Sequence, residues 1–178
     1  MKVLSKTLVL FAHPYFEYSR TNARLVQAYQ GLEHVTFRDL YEEYPDFNIL
    51  TYIERKRLVY YDRLIFHFPL IWFGMPPLLK LWIDDVFNLK WFNEKKDKNP
   101  IFGKRADVIV TVDTIYGEYT KDEPLPLDSA HFLTTLVRCL KINNMTIENF
   151  LTINNADNLT TSELEDYFIR IKTIAQNT

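Results

Sequence analysis

The sequence predicts an α/β fold: a five-stranded parallel sheet with helices on both faces. Three observations predict it. Apolar runs alternate with helical patterns along the whole chain, without repeats or low-complexity linkers. The first run, TLVLFA at 7–12, is continuously apolar, as a strand covered on both faces requires. And 178 residues suit one domain, residues 1–178, long enough to bury a real core.

The elements follow in order. After the strand at 7–12, residues 21–30 read as a helix that Gly31 stops. A short second strand at 35–38 leads into the loop DLYEEYPDFNI, a helix at 51–60 and a third strand, RLIFHF, at 63–68. Pro76 and Pro77 open a helix through LLKLWIDDVF, since proline is tolerated in a first helical turn. ADVIVTV at 106–112 is the fourth strand, 127–140 a helix, 146–153 the fifth strand and 162–175 the closing helix, with Thr161 as its expected N-cap. Strands separated by helices imply a parallel sheet.

Composition narrows the function. Hydrophobic residues at 47% and charged residues at 25% are those of a globular protein. A net charge of −2 gives no broad electrostatic reason to bind nucleic acid or acidic membranes. Cys139 is the only cysteine, which excludes an internal disulfide and a thiolate metal cluster and fits a reducing cytoplasm. The N-terminal apolar run is too short for a secretory signal, and nothing approaches the roughly 18 apolar residues of a membrane span. A soluble cytoplasmic protein is expected. Only four glycines occur, so few places let backbone approach a ligand closely.

In open parallel sheets ligands bind beyond the carboxyl ends of the strands, where strand order reverses. The loops to read are therefore 13–22, 69–74 and 113–119. The first, in FAHPYFEYSRTN, runs into a helix N-terminus, where unpaired N–H groups and the positive dipole end suit a phosphate. Ser19 and Thr21 add hydroxyls, Arg20 a charge and Asn22 an amide, although Ser19 or Thr21 can equally serve as a helix cap alone. Neither a glycine-rich dinucleotide fingerprint nor a Walker pattern is present. The second loop, PLIWFG, places an aromatic pair and a glycine at a strand end, which suits a flat ring and equally a hydrophobic corner or a subunit contact.

The segments FAHPYFEYSRTN, LYEEYPDFNI and HFPLIWFGMPPLLKLWIDDVF resemble the flavodoxin-like NAD(P)H dehydrogenase (quinone) family. The resemblance spans residues 8–87 and is nearest the short bacterial branch, which includes ancillary oxidoreductases of glutathione-gated potassium efflux. It implies flavin mononucleotide (FMN) as cofactor, reduction by NAD(P)H and reoxidation by a quinone-like acceptor. By position, His13, Ser19, Thr21 and Asn22 would hold the ribityl phosphate, and Pro69, Leu70, Trp72 and Phe73 would line the ring, mainly through backbone groups. The resemblance also implies a homodimer, with the aromatic helix at 78–87 suited to the interface.

The third loop departs from that pattern. Where the family carries Thr-Thr-Gly-Gly, this chain reads Asp113-Thr114-Ile115-Tyr116-Gly117-Glu118-Tyr119. Thr114 and Gly117 are the remaining candidates for flavin contact, with Gly117 expected at the close approach. Tyr116 and Tyr119 are the candidate catalytic groups, placed to polarise an acceptor carbonyl. The segment KWFNEKKDKNPIFGK is altered too, keeping Trp91 and the Gly103-Lys104 turn; Ile71 stands where glutamine is common, and His131 reads as helix surface. The substituted glycines motivate a second expectation, a catalytically weak regulatory subunit, for example one bound to a membrane potassium-efflux transporter. A third, an electron-transfer flavodoxin, fits less well because such proteins are strongly acidic.

Overall fold

The structure, a computed structural model, describes residues 5–87, 99–119 and 129–177, and side chains for 5–87, 99–116 and 131–177. Its sheet has five strands in the order β2-β1-β3-β4-β5, where β1 is Thr7–Phe11, β2 Val35–Asp39, β3 Arg63–Pro69, β4 Arg105–Val112 and β5 Thr146–Asn154. All four neighbouring pairs are parallel. From β1 the chain steps one way to β2 and then the other way to β3, so strand order reverses between β1 and β3. A crevice opens at such a reversal because the connections leave on opposite faces.

The helices described are α1 (Arg20–Leu25, extended by a 3₁₀ turn at Val26–Tyr29), α2 (Leu40–Glu43), α3 (Thr51–Leu58), α4 (Pro77–Val86), α5 (Thr114–Tyr119), α6 (Ser129–Phe132), α7 (Thr134–Ile142) and α8 (Thr161–Gln176). Strand side chains alternate between two cores. Leu8, Leu10, Phe66 and Val108 face α4 and α7, whereas Val9, Ile65 and Ile109 face the α1 and α8 side.

α4 turns Leu78, Leu79, Trp82, Ile83 and Val86 inward, each fully or almost fully buried. Burial of such side chains is worth about 1.5–3 kcal/mol apiece. The helix therefore spends within its own chain the apolar face expected to meet a partner subunit.

Three local expectations are corrected. The cap of α8 is Thr160, not Thr161: its hydroxyl accepts from the Glu163 N–H, and the Glu163 carboxylate accepts from the Thr160 N–H at 2.9 Å. A capping box needs an acid three residues on; from Thr161 that position is Leu164, which cannot close it. The expected helix at 127–140 is broken at Leu133 between α6 and α7, and its first two residues lie outside the described ones. The segment 113–119, expected to be a loop, is helical from Thr114 to Tyr119 as α5. Among the described residues no helix is long and apolar enough to cross a membrane.

Candidate functional site at the strand-order reversal

A cleft of about 300 Å³ opens at the carboxyl ends of β1, β3 and β4, the lower end of the size range of small-molecule sites. Parallel register sets its floor, with Pro69 beside Thr111. His13, Ser19, Arg20, Asn22, Pro69 and Thr111 line it.

Ser19 caps α1, accepting from the Asn22 N–H at 3.2 Å and from Asn22 Nδ2 at 3.0 Å. Both bonds use its lone pairs, so its own hydrogen is left for a ligand. Asn22, only 2% exposed, also donates from Nδ2 to Thr111 Oγ1 at 3.2 Å, while its Oδ1 is buried without a hydrogen-bond partner. An orphaned buried acceptor costs about 1–3 kcal/mol. Thr21 behaves differently: its hydroxyl donates to the Ala156 carbonyl at 2.5 Å, tying α1 to the β5–α8 loop.

His13 accepts from the Tyr15 N–H through Nδ1 at 3.1 Å, which puts its proton on Nε2. Burial lowers its pKa to about 4, so the ring is neutral at physiological pH. His67 lies below the floor, fully buried, with Nδ1 bonded to the Tyr29 hydroxyl at 2.9 Å and Nε2 without a partner. Burial first, and then nearby His13, lowers its pKa to about 3. Asp113 and Asp157 also line the cleft. Burial and the charge of Asp157 raise the Asp113 carboxyl. Burial raises the Asp157 carboxyl, and Thr114, which donates to it from both N–H and hydroxyl at 2.8 Å, holds it below its ordinary value.

The next residues of the same two loops form a mostly apolar recess of about 420 Å³ walled by Trp72, Phe73, Ile115 and Tyr116. Ile71 and Gly74 exchange both backbone hydrogen bonds at 2.9 Å, closing a two-residue turn. Its centre is Trp72 and Phe73, at φ of 45° and 59°. Two left-handed residues in succession ordinarily call for Asn-Gly, and each non-glycine residue held there costs about 1–3 kcal/mol. Trp72 is 86% exposed. Its N–H donates to the Tyr116 hydroxyl at 2.9 Å.

The sequence candidates thus divide. His13, Ser19, Thr21, Asn22 and Pro69 line the cleft, and Trp72, Phe73 and Tyr116 the adjoining recess. Leu70 lines neither: its side chain is buried in the core and its N–H is given to the Thr111 carbonyl at 2.8 Å. Thr114 lines a separate polar cleft beside α8. Gly117 lies within helical α5 rather than in an open loop, and Tyr119 ends that helix, its side chain outside the described residues. Trp91 is likewise outside them, and His131 is exposed on α6. Sequence reading missed Tyr15, Tyr18, Thr111, Ala156 and Asp157. The last two sit after β5, a strand end that the same carboxyl-edge rule singles out.

Residues 5–173 match the model of the Flavodoxin-like fold family, and the chain belongs to it. It is 46% identical over 86 residues, 48% of its length, to the uncharacterized NAD(P)H oxidoreductase YdeQ of Bacillus subtilis strain 168. The chain covers only 44% of the length of that relative. An NADPH-quinone reductase from P. pentosaceus shares the fold with a TM-score of 0.82 at 21% identity, over 97% of this chain and 99% of that one. General stress protein 14 of Treponema denticola, solved in complex with FMN, superposes with a TM-score of 0.78 at 25% identity, over 95% and 99% of the two chains.

Proposed function

We propose that the chain is an FMN-dependent oxidoreductase that carries reducing equivalents from NAD(P)H to a quinone-class acceptor, acting as a homodimer in the cytoplasm. The observation that carries this reading is the polar set at the reversal of strand order. Asn22 Oδ1 lacks a donor, which a ribityl hydroxyl would supply, and Ser19 keeps a hydrogen for a phosphate oxygen. The FMN complex of the Treponema denticola relative and the NAD(P)H activity named for YdeQ support it.

Bound FMN would supply two-electron redox chemistry. The protein's part is to hold and shield it. Ser19 and Arg20 would hold the phosphate, and neutral His13 offers its Nε2–H as a further donor. Asn22 would fix the ribityl chain. Tyr15 and Tyr18, exposed at the mouth, would keep water from the bound group. Trp72 and Phe73 would line the flavin ring, with Ile115 and Tyr116 continuing that apolar wall, and Tyr116 and Tyr119 would be the groups to polarise an acceptor carbonyl.

Mixing the purified chain with FMN, NADH or NADPH and a benzoquinone tests the activity. Flavin-dependent oxidation of the nicotinamide is expected, and none with flavin bound contradicts it. With the α4 face buried, exposed Trp72, Phe73 and Ile115 are the surface a second copy would cover. Light scattering at micromolar concentration should then give twice the chain mass. A second reading, a catalytically weak flavodoxin-like regulatory subunit, is favoured by the Tyr116 bond to Trp72; flavin binding without turnover is its outcome.

A further inference from the structure

The loops after β3 and β4 are tied together by a side chain that also walls the apolar recess of Trp72, Phe73, Ile115 and Tyr116. Within the turn closed by Ile71 and Gly74, those two residues satisfy each other's N–H groups, whereas the Trp72 N–H reaches out to the Tyr116 hydroxyl at 2.9 Å. The phenol is held in that place. Its ring meets Phe73 edge-on at 5.0 Å between centroids, and Phe73 packs on Phe132 at 5.1 Å. Its inner edge rests on the core that includes Leu133 and Val112. A tyrosine hydroxyl on a backbone N–H mimics what a planar heteroaromatic ligand offers there, an acceptor oxygen or nitrogen at the end of a flat ring.

We propose that Tyr116 is a built-in occupant of the ring subsite: its hydroxyl holds the Trp72 N–H in the ligand-free chain, and a flavin ring gains that N–H only when Tyr116 swings away. The inference rests on the flavin reading above and adds a competitor to it. A site that is competent only part of the time binds its ligand more weakly in proportion to that fraction. Removing the occupant's hydroxyl therefore tightens binding. A purely structural role has the opposite sign, because loss of a loop-to-loop bond slackens the turn and weakens any ligand it supports.

The test is an FMN titration of the full chain by flavin fluorescence quenching, comparing wild type with Tyr116→Phe and Tyr116→Gly. Exchange of the Trp72 amide hydrogen is followed by NMR in the same samples. Tyr116→Phe keeps the ring and its packing, so the fold is retained even where Tyr116→Gly fails. The expected result is binding tighter by about fivefold in Tyr116→Phe, the worth of one net hydrogen bond. A Trp72 amide that is protected in free wild type and exchanges faster in the free variant is expected with it. Wild type that binds FMN while Tyr116→Phe binds equally or less tightly overturns the occupant and leaves the flavin reading standing. Absence of FMN binding in wild type and in both variants overturns the two together.

Discussion

Two buried polar clusters in this protein are built to opposite ends. Between α3 and α4, Glu54 is wholly buried, yet its carboxylate accepts from Arg38 Nη1, from Arg57, from the Tyr44 hydroxyl at 2.7 Å and from Trp82 Nε1 at 2.9 Å. Arg38 is in turn paired with Glu43. Four donors take up a carboxylate's capacity, and the charge is compensated inside the chain. At the cleft, Asn22 is nearly as buried, yet its Oδ1 has no partner. The first cluster is complete and joins helices. The second is incomplete where the fold leaves a crevice, and incompleteness there points to a ligand.

The comparison breaks if the saturated cluster proves dispensable. Glu54→Ala leaves the Arg38 and Arg57 cations short of a partner, and a loss of about 3–5 kcal/mol in urea unfolding is expected. Flavin affinity of the molecules still folded should not change. Burial raises the Glu54 carboxyl, and the hydrogen bonds and charge of Arg38 outweigh it, leaving the pKa below its ordinary value. The contribution is therefore present above the unfolded carboxylate range and lost as pH falls through the lowered folded value.

The converse holds at the cleft. Ser19→Ala with Asn22→Ala should weaken FMN binding by roughly 10²–10³, at about 1.5–3 kcal/mol for a bond to a charged phosphate and about 1 kcal/mol for a neutral one. Loss of the Ser19 cap should cost only about 1 kcal/mol of stability. Fluorescence titration beside thermal melts separates the two, and unchanged affinity in the folded double variant would remove the ligand from this place.

A smaller effect sharpens the contrast through pH. His67 has its folded pKa at about 3 against roughly 6.5 unfolded. Between those values the unfolded chain binds the extra proton, so stability declines as pH falls, by up to about 1.4 kcal/mol per unit. His67→Phe should flatten that slope in unfolding measurements between pH 4 and 6; an unchanged slope assigns it to His13 or elsewhere.

The sheet was legible because largely apolar runs such as TLVLFA and ADVIVTV leave little choice of class. The first loop was legible because hydroxyl and amide residues gather at one helix start. Other features depend on partners distant in sequence. Glu54 reads as an exposed helix position until Arg38, Tyr44 and Trp82 converge on it, and nothing local marks Trp72 and Phe73 as left-handed. The helical turn of α5 likewise depends on a distant partner, Asp157, 43 residues away, which supplies its first N–H with an acceptor. Thr21, read as a hydroxyl at the helix start, gives its hydrogen to the Ala156 carbonyl, a partner 135 residues away.

Titration of the purified, flavin-free chain with FMN tests the central claim most directly. Saturable quenching at one flavin per chain is expected, with the complex surviving gel filtration and the double change at Ser19 and Asn22 weakening it by roughly 10²–10³. Flavin that stays fully fluorescent and elutes apart from a folded wild-type chain would contradict it.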